Sequence, residues 1–481
     1  MPELLKPTGL TNEIRKDHNA MRAIAGHTQV KPDKREEAQR GLADDMNKLP
    51  AGVNNLGLKI DTESNVITDA LNFTPPTIQW RESVQPRDDG TFIGARAKIY
   101  QKEATLGNWA IVYEKVEDAK AALACMNKAC KSIDVKVPDP VKIAVKLFND
   151  QTKKPLNRGE KIKAITDKLS KKEYENVSIF FIILEKRVAD QVYDNVKDHC
   201  QKVLGKQSQF FSNMTKKEDL SVMTNVILGM AVKLGINIYQ IPKVPGMNTN
   251  KKDSVMLVGA DICHLNGRDS VVSVIATSNS TYTTYYSASA FTNHRGDDLM
   301  FAVANLVQRC RANYVKQNGH EPGTIIFYRD GIGMGSYDEV KAKEIAPILQ
   351  ELTSKAANPE VVPKLTYIIV NKRINDRFYT EVRGELKNPE GGLIIKSAVT
   401  NPMGFDFFMV AQKVQMGTAT PTHYECLYND STLSSDQLYI QSYYSCFNYF
   451  NWRGPVKVPA VVQYAHKQAE LLARSTPRRK N

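Results

Sequence analysis

SVMLVGADIC, residues 254–263, is an apolar run that carries an acid near its end. It reads as a buried strand, and Asp261 within it is costly to bury unless it is paired or bound to a cation. TIIFYRD, residues 324–330, repeats the pattern as a short β run closed by Asp330. Between them lie two more strand-like runs, SVVSVIATSN (270–279) and TYTTYYSASAF (281–291), and then a helix expected at about 297–316. A second helix is expected near 336–352, and KLTYIIVNKR (364–373) reads as a further strand.

Three strands, then helix–strand–helix–strand, then a C-terminal helix is the element order of an RNase H-like domain, although other α/β domains can be parsed the same way. Upstream the pattern differs. VSIFFIILE (177–185) is continuously apolar, as in a strand covered on both faces. VADQVYDNVKDHCQKVL (188–204) places Val188, Val192, Val196, Cys200 and Val203 on one helical face. VKIAVKLFN (141–149) and SQFFSNM (208–214) read as strands, with helices over 157–169 and within EDLSVMTNVILGMAVKLGIN. This alternation predicts a doubly wound, Rossmann-like α/β domain of about 110 residues. KVPGMNTNKKDS (243–254) has no periodicity and reads as the boundary between the two. Residues 1–50 look helical and charged, and 51–105 read as short strands and loops of an extended linking region.

The 481 residues allow roughly two to four domains. No run of 18 apolar residues occurs, so a spanning helix is excluded, and the first residues lack the apolar core of a signal peptide. A cytoplasmic or nuclear protein without membrane partners is expected. The formal charge of +13 points to a polyanionic partner such as nucleic acid, though many basic proteins bind none. Seven scattered cysteines with no CxxC pair read as reduced thiols.

Two strands that end on acids, lying side by side, would bring two carboxylates together. Like charges at that range cannot both stay ionised without a counter-charge. Divalent cations supply one, and two hard cations held by carboxylates form the machinery of phosphodiester hydrolysis. The plainer alternatives are that Asp330-Gly331 is an ordinary turn and that Asp261 caps the following loop. His466, in QYAHKQAELL, reads either as a core histidine on its helix or as a metal ligand, with His264 and His423 as rivals.

Five stretches occur in one order: VGADICH (258–264), IFYRDGIGMGS (326–336), QKVQMGTATPTHYECLYND (412–430), NYFNWRGPVKVPA (448–460) and QYAHKQAELL (463–472). Together they resemble the PIWI module of an Argonaute protein, specifically of the Piwi clade. PELLKPTGLTNEIRKDHNAMRAIAGHT (2–28) is similar to the segment that follows the PAZ domain in Piwi proteins. The resemblance implies a linker region over 1–134, a MID domain over 135–245 and an RNase H-like PIWI domain over 246–481. The family's N-terminal and PAZ domains have no counterpart, so a truncated or short member is expected. The resemblance also assigns Asp261, Asp330 and His466 as catalytic metal ligands for Mg²⁺ or Mn²⁺. Asp298, in HRGDDLMFAV, is by the same resemblance the fourth catalytic candidate, at the position of a family glutamate that swings in on a loop and is one methylene longer. Asp297 and Asp298 also sit where a helix is expected to begin, where acids cap helices.

The MID resemblance implies a pocket for the 5′-phosphate of a small, piRNA-like guide RNA. Tyr193 and Lys197 match the family's Tyr-x-x-x-Lys, Gln209 the glutamine of the next strand, and Lys233 a lysine of the following helix. Tyr193 would stack on the first base and the other three would hold the phosphate. Without the resemblance, Lys197 and Lys233 read as solvated lysines and Tyr193 as half-buried packing. Gly229 replaces another lysine of the general pattern. Piwi relatives also lack that lysine and use a metal partly held by the C-terminal carboxylate. The chain ends only 15 residues after His466, in a tail whose Arg478, Arg479 and Lys480 read either as a disordered basic tail or as an alternative source of charge. The function so implied is guide-directed cleavage of complementary target RNA within a silencing complex. The alternative is a guide-binding scaffold that recruits silencing proteins and cuts little.

Overall fold

The computed structural model describes residues 10–476 apart from 12–13, 16, 50–52, 64, 88–89, 93–97, 150, 153, 213–218, 245–246, 248–250, 252, 266–268, 293–298 and 355–361. Asp297, Asp298 and the Arg478–Lys480 tail therefore lie outside the described residues.

Two sheets carry the chain. The smaller is parallel and contains β1 (Trp109–Tyr113), β2 (Val141–Ala144), β3 (Ile179–Leu184) and β4 (Gln207–Ser212), in the order β2-β1-β3-β4. Its helices are α3 (Val116–Ile133), α4 (Arg158–Leu169), α5 (Lys186–Asp198) and α6 (Leu220–Lys233), preceded in the chain by α1 (His18–Thr28) and α2 (Pro32–Lys48). β3 shows why the sequence run IFFIIL is uninterrupted. Ile179, Phe181 and Ile183 face the core under α3 and α6, while Phe180, Ile182 and Leu184 face the core under α4 and α5. A strand covered on both faces has no polar side.

This sheet differs from the sequence expectation at its start. Its first strand and helix, β1 and α3, lie upstream of residue 135, inside the stretch expected to be linker. The remaining linker is not simply extended either. Trp80 and Ile99 are buried, Trp80 packs on Tyr239 at 5.2 Å, and Ala70–Asn72 pairs with Leu393–Ile395. Isolated large apolar residues anchor an irregular segment without producing any periodicity. Helix α5 also stops at Asp198 and continues as one π turn, His199–Val203.

The larger sheet holds β5 (Val255–Cys263), β6 (Ser270–Thr277), β7 (Tyr285–Thr292), β8 (Thr324–Asp330), β9 (Lys364–Asn371), β10 (Phe405–Val410) and β11 (Thr422–Asn429). With two short strands added beside β10 the order is 70–72, 393–395, β10-β11-β9-β8-β5-β6-β7. Only the β5–β8 and β8–β9 pairs are parallel; the rest are antiparallel. β10 and β11 extend the sheet beyond the strands read from sequence. Helices α7 (Val303–Asn318) and α8 (Ala346–Ser354) share a core with Met256 and Val258 on one face. Helices α9 (Ser435–Ser445) and α10 (Ala460–Ser475) share the opposite core with Val255 and Leu257.

α10 lies directly on β5. A Cβ added to Gly259 would sit 2.3 Å from the Val461 carbonyl carbon, so only glycine lets the helix backbone approach so closely. All seven cysteines are free, and no described helix is long and apolar enough to cross a membrane.

Candidate functional site

β5 and β8 run parallel in a register that sets Ala260 opposite Arg329. The next residue on each strand is Asp261 and Asp330, so the two acids meet where the pairing of the two strands ends. Each carboxylate accepts the following backbone N–H, Ile262 N to Asp261 Oδ1 at 2.8 Å and Gly331 N to Asp330 Oδ1 at 3.0 Å. These bonds aim the second oxygens into a shared cleft of about 1050 Å³. There Asp261 Oδ2 lies 2.7 Å from His466 Nδ1, which α10 brings across the sheet. One ligand atom from each of Asp261, Asp330 and His466 falls within 4.8 Å of the others.

Both acids are buried, with 8% of Asp261 and 7% of Asp330 exposed. Burial raises the Asp330 carboxyl above its usual range, the neighbouring Asp261 charge raises it further, and Lys372 opposes both. Two carboxylate oxygens and an imidazole nitrogen converging in a cleft are a donor set that suits a divalent cation. The residues present therefore fit the metal implied by the sequence.

Of the rival histidines, His264 Nδ1 lies 2.7 Å from Ser270 Oγ. His423 Nε2 lies 2.6 Å from Asp406 Oδ2, its ring stacks on Phe408 at 4.1 Å, and Glu425 Oε2 is 3.5 Å from Nδ1. Both line the same cleft, but His466 is the one on Asp261.

Sequence reasoning missed Lys372, whose ammonium donates to Asp330 Oδ2. The signal lay in sheet order. Asp330 pairs with Val370 on parallel β9, so Lys372, two residues further on, projects to the same side. Its own backbone carbonyl accepts from Lys457 Nζ at 2.6 Å.

The four residues expected to hold a guide end also come together. Tyr193, Lys197, Gln209 and Lys233 line one pocket of about 680 Å³. α5 supplies the first two, one turn apart, β4 the glutamine and the end of α6 the second lysine. Lys233 Nζ donates to Gln209 Oε1 at 2.5 Å and to the Ser208 carbonyl at 2.9 Å. Tyr193 is 38% exposed, rests on Phe210 at 4.9 Å and has the Lys197 ammonium 5.6 Å from its ring centre. Burial lowers the Lys197 ammonium below its usual value. Burial, with the Lys197 charge adding to it, pulls Lys233 down to about 7. Two desolvated, mutually repelling ammonium groups are stabilised by an anion placed between them.

The pocket has a wall that sequence patterns did not reveal. Tyr464, Lys467 and Arg474 of α10 line it, and Ser475 Oγ donates to Asp198 Oδ1 at 3.0 Å, tying the end of α10 to α5. Lys467 and Arg474 both pair with Glu470.

The Piwi domain model matches residues 179–476. The chain belongs to the Argonaute family, in its Piwi clade. Among Piwi-clade and Argonaute relatives, Protein argonaute-3 of Drosophila melanogaster is 30% identical over 489 residues, which are 99% of this chain and 53% of that protein. Piwi-like protein 1 of Danio rerio is 29% identical over 504 residues, or 100% of this chain and 55% of that protein. The chain thus spans about half the length of these relatives. The fold is similar to the crystal structure of Drosophila Piwi, with a TM-score of 0.79 at 22% identity over 95% of this chain and 61% of that one. It is also similar to Kluyveromyces polysporus Argonaute with a guide RNA, at a TM-score of 0.75 and 17% identity over 97% of this chain and 58% of that one. The MID and RNase H-like PIWI architecture of the Piwi clade is therefore that of the two sheets described above.

Proposed function

We propose that the chain holds a 5′-phosphorylated small RNA in the Tyr193–Lys233 pocket and uses it to direct cleavage of complementary RNA at Asp261, Asp330 and His466. The observation that carries this reading is the convergence of those three ligand atoms within 4.8 Å at the ends of adjacent parallel strands. It is supported by a second pocket, on the same helix α10, lined by the cationic and aromatic groups that a terminal phosphate and base require.

The roles divide by chemistry. Lys197, Gln209 and Lys233 donate charge-assisted hydrogen bonds to the phosphate, and Tyr193 offers a ring face to the first base. The guide backbone is read by A-form shape and 2′-hydroxyls, and target sequence by base pairing. Mg²⁺ or Mn²⁺ bound by Asp261, Asp330 and His466 would supply the positive charge that hydrolysis of a phosphodiester requires. Asp261 and Asp330 are held by their neighbouring amides so that one oxygen of each faces the cleft. Asp261 in turn orients the His466 ring through Nδ1. Water adds at phosphorus and the 3′-oxygen of the upstream fragment leaves, so the products carry a 3′-hydroxyl and a 5′-phosphate.

A second reading is a guide-loaded scaffold that recruits silencing proteins and cuts little. The contact of Lys372 with Asp330 favours it, because that ammonium already satisfies one oxygen a metal would take. So does Asp298 in place of a glutamate, since a carboxylate about an ångström short can lower a rate roughly 10²-fold. The test is incubation of the guide-loaded protein with complementary RNA and Mn²⁺, for the parent and for Asp330→Ala. Cleavage by the parent alone supports the enzyme. Tight guide binding with no cleavage by either supports the scaffold. Cleavage that persists in Asp330→Ala rejects the catalytic assignment.

A further inference from the structure

Behind the two acids lies a buried ion pair that the proposed chemistry does not use. Arg329, the residue before Asp330, and Glu344, in the π turn Lys341–Ile345 before α8, are both fully buried. The guanidinium forks onto the carboxylate, Nη2 to Oε1 at 3.1 Å and Nε to Oε2 at 3.3 Å. A buried pair of this kind costs about as much in desolvation as it returns in attraction, so it is not explained by stability alone. Its remaining bonds show what it holds. Arg329 Nη1 donates to the backbone carbonyls of Asp330, at 2.8 Å, and Gly331, at 3.0 Å. Glu344 Oε1 accepts the backbone N–H of Met300 at 2.9 Å, and its other oxygen accepts the Tyr367 hydroxyl from β9. Met300 stands two residues after Asp298.

We infer that Arg329 and Glu344 are positioning residues. They fix the Asp330–Gly331 turn against β9 and tie to the same buried point the chain that follows Asp298. The inference rests on the metal reading above. A planar guanidinium can grip a carboxylate and two carbonyls at once, which a lysine ammonium cannot do in the same geometry. The Asp330 carboxylate is aimed by the Gly331 amide, and the Gly331 carbonyl is one of the two that Arg329 holds. Loosening this grip lets the ligand oxygen drift without removing any ligand.

The test is Mn²⁺ affinity of the full chain, measured by calorimetry, beside affinity for a 5′-phosphorylated RNA. The double variant Arg329→Met, Glu344→Gln removes both charges together, while the amide oxygen still accepts from Met300. It is expected to bind Mn²⁺ roughly ten- to a hundredfold more weakly, the range typical of groups that orient metal ligands, and to bind the RNA as the parent does. Arg329→Lys keeps the charge and loses the fork, and is expected to shift Mn²⁺ affinity in the same direction by less. Unchanged Mn²⁺ affinity in either folded variant overturns the inference. So does a parallel loss of Mn²⁺ and RNA affinity, which marks a structural role only. A parent that binds Mn²⁺ no better than Asp330→Ala instead overturns the metal reading on which the inference stands.

Discussion

Raising the pH from 7 to 9 should weaken binding of a 5′-phosphorylated RNA far more than binding of the same RNA with a 5′-hydroxyl. The cause is Lys233, pulled down to about 7 by burial and by the nearby Lys197 ammonium. In the free protein it is therefore about half charged at neutral pH. A phosphate dianion beside it restores the ammonium, so binding takes up a proton, and an equilibrium that takes up a proton is weakened as pH rises. With a bound-state value back near the usual ~10.4, the charged fraction of the free protein falls from about one half at pH 7 to about one hundredth at pH 9. Affinity then drops roughly fifty-fold. The assay is fluorescence anisotropy with matched RNAs at constant ionic strength. Lys457, lowered to about 8 by burial, titrates in the same window but contacts the Lys372 carbonyl at the other cleft, and the 5′-hydroxyl comparison cancels it. Lys233→Arg, which stays charged throughout, should flatten the dependence. A difference between the two RNAs that is constant from pH 7 to 9 would refute the assignment of Lys233 as a phosphate ligand.

Other outcomes follow from the packing. Gly259→Ala should destabilise the protein by about 1–3 kcal/mol or more in urea unfolding, because the new methyl meets the α10 backbone at 2.3 Å. Mn²⁺ affinity should fall with it, since the helix carries His466. Tyr193→Ala should reduce affinity for a 5′-phosphorylated RNA by about 1–3 kcal/mol, as loss of a base-stacking ring does, with no change in Mn²⁺ binding. Asn157→Ala should lower stability by about 1 kcal/mol in thermal or urea unfolding, because Asn157 Oδ1 accepts the Glu160 N–H and closes a capping box on α4.

The acids of the site were legible because each sits at or near the end of an apolar strand, and physical chemistry makes such a position conspicuous. That β5 and β8 are neighbours came from element order and the family motifs. The convergence with His466 could not be read from either strand, since it depends on α10 crossing the sheet. Lys372 was missed for the same kind of reason: its partner lies 42 residues away and becomes a neighbour only through the β8–β9 register. β1 and α3 were missed in another way. WAIVY is five residues long and has four consecutive buried positions, so it carries no alternation and is too short to stand out. The irregular segment with Trp80 shows the converse, tertiary anchoring with no local pattern at all. The phosphate pocket was half legible. Tyr193 and Lys197 are a turn apart on one helix, but Lys467 and Arg474 come from a distant part of the chain.

α10 presents His466 to one cleft and, one residue on, Lys467 to the other. From His466 to Arg474 the helix rises about 12 Å. The same helix is seated on β5 at Gly259 and tied to α5 through Ser475, so it spans both clefts as one element. Under the proposed function it acts as a gauge. If the proposed function holds, the distance from the clamped end of the guide to the cutting acids is built into the protein, and the site of scission is counted from that end rather than searched for along the target.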